Sequence, residues 1–104
     1  MTSDPVRNLA ADLDALIALL ERVDEQHWAG WFRAARAEIM NRDAHGLTRI
    51  LRAYGGMGSF NDLLIHPQNG HTVRSAEAGQ ASEQLDALRV RIRDAAELLR
   101  KQSQ

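Results

Sequence analysis

The sequence predicts a mainly α, four-helix domain with a glycine-rich turn and a small β-hairpin or packed loop before the last helix. Two observations predict this class. Apolar residues recur at spacings of three and four over four separate segments, which is the period of an amphipathic helix. Glycine and proline interrupt that pattern once, between the third and fourth segments. The length of 104 residues suits one domain, covering 1–104.

The first helix is predicted from Pro5 to about Asp24. Asp4 is a favourable N-cap, and a proline is tolerated at the first helical position because the N–H that it lacks would be unpaired there. One face of this segment then carries a run of apolar residues at helical spacing: Val6, Leu9, Leu13, Leu16, Ile17, Leu20 and Val23.

The second and third helices are predicted at about 25–41 and about 44–54. We expect Asp43 to cap the third helix and Gly55 to end it as a C′ residue in the left-handed conformation. The second helix carries both tryptophans, and we interpret its apolar stripe as core packing rather than a ligand cage. The stripe consists of Trp28, Trp31, Phe32, Ala35 and Ile39.

The segment 55–65 places three of the seven glycines within four positions, next to an apolar run. Because glycine reaches positive φ without steric cost, we expect positive φ at one or more of Gly55, Gly56 and Gly58. The segment therefore predicts a shaped, partly buried turn. Asn61 and Asp62 are interpreted as turn stabilisers that bond nearby backbone N–H groups, and a backbone nest for an anion is the alternative.

A hairpin is the first interpretation of the next segment. Two apolar runs, 60–66 and 71–73, flank a Pro-x-Asn-Gly loop in which Gly70 would take positive φ. The run 63–65 does not alternate as a half-buried strand would. A loop packed on the helices is therefore the competing interpretation.

The last helix is predicted from Ser75 to about Arg100, with an apolar seam at alternating spacings of three and four. Such a helix is about 40 Å long, whereas a compact domain of this size is about 33 Å across. The C-terminal turns would therefore overhang the domain or form a homodimer through this helix. The residues at the centres of the four apolar stripes should be largely buried: Leu16, Trp31, Leu51 and Leu88.

Composition limits the class of protein. The chain has no cysteine, and its N-terminus has neither the basic region nor the apolar core of a signal peptide. No apolar run approaches the roughly 20 residues that span a bilayer. The net charge of −1 gives no overall attraction to nucleic acid or anionic membrane. We expect a cytoplasmic protein with no nucleic-acid partner, no membrane partner and no cofactor.

Catalytic and metal motifs are weak. Ser59, Asp62 and His66 are close in sequence, but neither a nucleophile elbow nor a P-loop is present, and proximity alone does not form a triad. Asp62, His66 and His71 form a conceivable metal site, although two polar histidines beside a turn are the preferred interpretation. We therefore predict no catalytic residue, no metal and no enzyme activity.

The chain resembles a family of small bacterial proteins known only as a domain of unknown function. The resemblance depends on Trp28 and Trp31, on Tyr54, and on the signature Gly-Gly-Met-Gly-Ser-Phe-Asn-Asp-Leu at 55–63. It continues through His-Pro-Gln-Asn-Gly-His at 66–71 and covers about residues 9–99. It implies no activity or catalytic residue. Small helical bacterial proteins without cysteine are often partners of other proteins, including immunity proteins that neutralise toxins.

The functional hypothesis is a non-enzymatic protein-binding domain, and an immunity-type inhibitor is its narrower form. It would present the 55–71 region, with Met57 and Phe60 as apolar anchors if they are exposed, and a neighbouring arginine-rich surface that would steer an acidic partner. The alternative is a protein that binds a small ligand or anion through the glycine-turn backbone. The candidate partner-binding residues are Met57, Phe60, Asn61, Asp62, His66, His71, Arg49 and Arg52.

Overall fold

The computed structural model describes residues 4–55 and 59–102, and it confirms the mainly α fold. Two short 3₁₀ turns, Phe60–Asp62 and Pro67–Asn69, lie between the third and fourth helices, and the described residues contain no strand. The four helices are α1 (Pro5–Arg22), α2 (Gln26–Met40), α3 (His45–Arg52) and α4 (Ser75–Gln102).

Asp4 caps α1 as predicted, but α3 differs from the prediction, because its N-cap is Ala44 without a side-chain cap and Asp43 lies one residue before it. The Asp4 carboxylate accepts the backbone N–H of Val6 at 3.0 Å, at the start of α1. The Asp43 carboxylate accepts the backbone N–H of His45 at 2.9 Å, at the start of α3. That hydrogen bond lowers the pKa of Asp43, because it stabilises the ionised carboxylate.

The four helices enclose one apolar core. α1 packs on α2 and α4, and α3 packs on the same two helices. Leu16 and Leu88 are buried, as predicted. Trp31 and Leu51 are only partly buried and pack against the edge of the core. The indole N–H of Trp31 donates to the carbonyl of Arg49 at 2.9 Å, so its polar end is satisfied by the backbone of α3.

α4 is as long as the domain. Its 28 residues correspond to about 42 Å at 1.5 Å per residue, and the longest extent of the molecule is 43 Å. Val90 and Leu98 are exposed along it. A homodimer through this helix stays a prediction.

The segment before α4 is a packed loop rather than a hairpin, which corrects the first interpretation. We call residues 59–74 the packed loop. Phe60 and Ile65 point into the core, and the backbone N–H of Thr72 donates to the carbonyl of Val23 at 2.8 Å instead of to a partner strand. Gly70 has φ +82°, as predicted for the turn that it forms.

The end of α3 also differs from the prediction, because Gly55 is not in the left-handed region. Backbone N–H groups of residues 53–55 instead bond the carbonyls three residues earlier, at 3.1 to 3.3 Å. These 3₁₀-type bonds satisfy the last carbonyls that a left-handed residue would otherwise have capped. Gly56, Met57 and Gly58 lie outside the described residues, so positive φ there stays a prediction.

Gly46 allows α3 to approach α2, and we expect Gly46→Ala to destabilise the fold by about 1–3 kcal/mol. A Cβ at this position would lie 2.8 Å from Cγ1 of Ile39 and 2.9 Å from the carbonyl oxygen of Ala35. The matched control is Gly79→Ala on α4, where a Cβ meets nothing within 4 Å. The free energy of unfolding of Gly79→Ala should rise by up to about 1 kcal/mol, since alanine is the better helix former. Urea denaturation gives both free energies of unfolding, and equal values for the two variants would contradict this packing.

Candidate functional site

Phe60 anchors the packed loop in the core. Its side chain is fully buried, and its ring centroid lies 4.7 Å from that of Phe32, 5.5 Å from Trp28 and 5.6 Å from Tyr54. Phe60 could serve as a partner anchor only if it were exposed, and this condition is not met. Burial also raises the pKa of Tyr54, whose hydroxyl donates to the carbonyl of Arg89 at 2.7 Å.

Arg89 attaches the first turn of the packed loop to α4. Its Nη1 donates to the carbonyls of Phe60 at 2.9 Å, Asn61 at 3.1 Å and Leu63 at 2.9 Å. Its Nη2 pairs with Asp86, and only 11% of the side chain is exposed. The arginine thus satisfies the carbonyls of Asn61 and Leu63 and is a second donor to the carbonyl of Phe60, which also accepts the backbone N–H of Leu63 within the 3₁₀ turn.

His71 and Glu25 attach the far end of the packed loop to the corner between α1 and α2. The His71 side chain is 3% exposed, and its Nδ1 accepts the backbone N–H of His66 at 3.2 Å. Its Nε2 lies 3.1 Å from Oε1 of Glu25, whose other oxygen accepts the N–H of Trp28 at 3.4 Å. This network assigns the ring proton to Nε2, which donates to Glu25. His71 therefore holds the loop and is not exposed to a partner.

The structure offers no support for the conceivable metal site. Both ring nitrogens of His71 are engaged, and Nδ1 of His66 accepts the backbone N–H of Gln68 at 3.2 Å. Within residues 4–55 and 59–102, no group of three or more His, Asp or Glu side chains is arranged to hold a metal ion.

The outer surface of the packed loop presents an exposed leucine that the sequence analysis did not single out. Leu64 is 63% exposed, more than any other large apolar residue of the described chain. Ile65 beside it is buried, and the Asn69 side-chain amide donates to the Leu64 carbonyl at 3.0 Å. The candidates Asn61, Asp62 and His66 are also exposed on this loop. The lack of alternation in 63–65 was the available signal, because three consecutive apolar side chains of a loop rarely all face inward.

A shallow depression of about 250 Å³ lies between the packed loop and the start of α2. Among the described residues it is lined by two carboxylates and by no lysine or arginine, and we call it the acidic depression. The Oγ of Ser59 is buried and has no hydrogen-bond partner among the described residues. The residues that line the depression are Glu25, Trp28, Ser59, Asp62, Leu63, Leu64, Asn69 and His71.

The basic surface of α3 is partly neutralised. Nε of Arg49 pairs with Glu38, and this hydrogen bond raises the pKa of Arg49. The Arg49 guanidinium lies 5.9 Å from the ring centroid of Trp31. Arg52 is exposed and makes no ion pair within the described parts of the chain. The predicted anchor Met57 lies outside the described residues.

These observations define a class of protein: a four-helix domain that holds a packed loop rigidly against its frame. The chain belongs to the family described as Domain of unknown function (DUF6966), whose model matches residues 21–74. The matched range runs from the end of α1 through the packed loop. It is shorter than residues 9–99, the range that the resemblance implies. The matched range contains each described residue that lines the acidic depression.

No curated protein and no solved structure matches the chain. In the described part of the molecule, none of the helices combines the length and apolar character needed to cross a membrane.

Proposed function

We propose that the chain is a non-enzymatic protein-binding domain whose contact surface is the outer face of the packed loop. Leu64 is the observation that carries the proposal. Leu64 is 63% exposed. A partner that covers it stabilises the complex by roughly 25 cal/mol for each Å² of apolar surface removed from water. Leu64 also borders the acidic depression, so an apolar anchor and polar groups lie side by side, as in many protein interfaces.

The rigidity of the packed loop supports the same proposal. Phe60, Arg89 and His71 fix its backbone at three points, and Asn69 holds the carbonyl of Leu64 itself. A loop ordered before binding loses little conformational freedom in the complex. Loops on a rigid frame are also the part of a fold in which binding residues are concentrated.

The finer parts of the proposal come from the sequence. The protein would be a cytoplasmic bacterial domain, and an immunity-type inhibitor of a toxin is the narrower form of the hypothesis. Among the predicted partner-binding residues, Asn61, Asp62 and His66 have the exposure that a contact needs. Arg52, exposed at the end of α3, would act at longer range on an acidic part of the partner.

We expect Leu64→Glu to weaken partner binding by at least about tenfold, because it places a charge where an apolar contact forms. The tagged full-length chain would be used to capture a partner from native lysate. The affinity of the purified partner would then be measured by calorimetry for the parent and the variants.

The matched control is Leu98→Glu, because Leu98 is 54% exposed on α4, away from the packed loop. Circular dichroism should show parental helix content and melting temperature for both variants. Binding that survives Leu64→Glu but is lost in Leu98→Glu would move the interface to α4 and contradict the proposal.

A further inference from the structure

The turn of the packed loop contains an asparagine followed by a glycine, Asn69-Gly70. Of the four asparagines in the chain, only Asn69 precedes a glycine. This dipeptide is the one most prone to deamidation, because glycine has no side chain to hinder the attack of its backbone nitrogen on the preceding amide. Both residues are exposed, and a Cβ at Gly70 would meet no described atom within 4 Å. Neighbouring groups therefore leave room for the reaction.

The reaction needs only water as a co-reactant. The Gly70 nitrogen loses its proton to water and forms a bond to Cγ of Asn69, and the Cγ–Nδ2 bond breaks as ammonia leaves. Water then opens the resulting succinimide ring at either carbonyl. The products are aspartate and, predominantly, isoaspartate, in which the main chain runs through the side-chain carbon and is longer by a methylene group.

The packed loop holds both reacting groups away from this reaction. The Gly70 N–H donates to the carbonyl of Pro67 at 3.0 Å, so the attacking nitrogen is engaged in the 3₁₀ turn. The Asn69 side-chain amide donates to the carbonyl of Leu64 at 3.0 Å, which fixes the group under attack. Both hydrogen bonds have to break before the ring can close. The reaction therefore requires local opening of the loop.

The isoaspartate product does not fit the packed loop. The hydrogen bond from the Gly70 N–H closes the turn, and an added methylene group moves this N–H away from its acceptor. The amide that donates to the Leu64 carbonyl is replaced by a carboxylate, which can only accept. The turn directly precedes His71, which attaches the loop to Glu25. Loss of the turn therefore weakens that attachment.

We propose that Asn69-Gly70 is a site of spontaneous deamidation that the packed loop suppresses, and that the isoaspartate product releases the loop from the helices. A transient opening of the loop is thereby made permanent by a change in the covalent chain. The proposal goes beyond the proposed function, because it holds whether or not the loop contacts a partner.

The experiment measures the rate of deamidation of the full chain at neutral pH. Peptide mapping with electron-transfer fragmentation locates the site and distinguishes isoaspartate from aspartate. The same chain unfolded in urea gives the unprotected rate. We expect Asn69 to react at least about tenfold more slowly in the folded chain, since the rate follows the population of the open loop. Asn61 is the internal control, because it lies on the same loop but precedes Asp62, and it should react more slowly than Asn69 in urea.

Two variants connect the rate to the loop. Phe60→Ala, which removes the buried anchor, should raise the rate at Asn69 in native buffer by at least about fivefold. Leu98→Glu, on the exposed face of α4, should leave the rate unchanged. If Phe60→Ala does not fold, Arg89→Met takes its place. Equal rates in the folded and the urea-unfolded parent, or a parental rate in the variant that loosens the loop, would overturn the suppression by the loop.

The isoaspartate form, separated from the parent by its extra negative charge, tests the release of the loop. Hydrogen exchange should become at least about fivefold faster at the amides of His66 and Thr72, whose acceptors are the His71 ring and the carbonyl of Val23. The centre of α1 should keep its protection. Asn69→Gln, which does not readily form the ring, should keep parental exchange rates after the same incubation. Unchanged exchange at His66 and Thr72 in the isoaspartate form would overturn the proposal.

Discussion

Phe60→Ala is expected to cost about 3–5 kcal/mol of stability, the range for removing a fully buried aromatic ring. The ring has no exposed surface and contacts rings from α2 and from the end of α3. Alanine would leave a cavity between these elements and would detach the packed loop from the core. Guanidinium denaturation followed by circular dichroism measures the loss.

Leu64→Ala is the control for that experiment, since Leu64 belongs to the same loop but is largely exposed. It should change the free energy of unfolding by no more than about 0.5 kcal/mol. If Phe60→Ala were as stable as Leu64→Ala, the loop would not be anchored as described. The assignment of a rigid contact surface would then fail with it.

Arg89→Met is expected to cost about 2–4 kcal/mol, because hydrogen bonds from a charged donor to three carbonyls are lost together. Methionine keeps much of the apolar stem, so the loss reports mainly on the guanidinium. Amide hydrogen exchange should also become faster in residues 60–65, while the centre of α1 keeps its protection.

Arg91→Met is the matched control, on the same helix and two residues further along. Arg91 pairs with Asp12, but 63% of its side chain is exposed, and exposed ion pairs contribute about 0–1 kcal/mol. A loss for Arg89→Met no larger than that of Arg91→Met would mean that the three carbonyls are satisfied equally well by water.

The helices are predictable from the sequence because their signals are local. Asp4 and Pro5 begin α1 through contacts within one turn, and apolar spacing identifies the buried face of each helix. Gly70 is predictable for the same reason, since a Pro-x-Asn-Gly turn requires its positive φ. The core position of Leu88 follows from the seam of α4.

The packed loop is harder to predict because its stabilising contacts are distant in sequence. Arg89 binds carbonyls 26 to 29 residues away, and His71 meets Glu25 across 46 residues. An arginine on a long helix gives no signal that it will be buried under a loop. The hairpin interpretation was wrong for the same reason, since the competition between strand pairing and packing on the helices is decided by these distant groups.

The candidate site was therefore predicted only in part. The predicted segment 55–71 includes Leu64, which is exposed beside the acidic depression. Within this segment, Phe60 and His71 are buried, because the Phe60 ring packs on Phe32 and the His71 imidazole bonds Glu25. The exposed apolar residue is Leu64, whereas the sequence analysis predicted Met57 and Phe60 as the apolar anchors.

The central claim, that the packed loop faces a protein partner through Leu64, is tested most directly by cross-saturation NMR. The chain would be deuterated except for its leucine methyl groups, and saturation would be transferred from an unlabelled, protonated partner in the complex. We expect the Leu64 methyl signals to lose intensity while those of Leu98 keep it. Loss confined to Leu98, with Leu64 unaffected, would contradict the account and place the partner on α4.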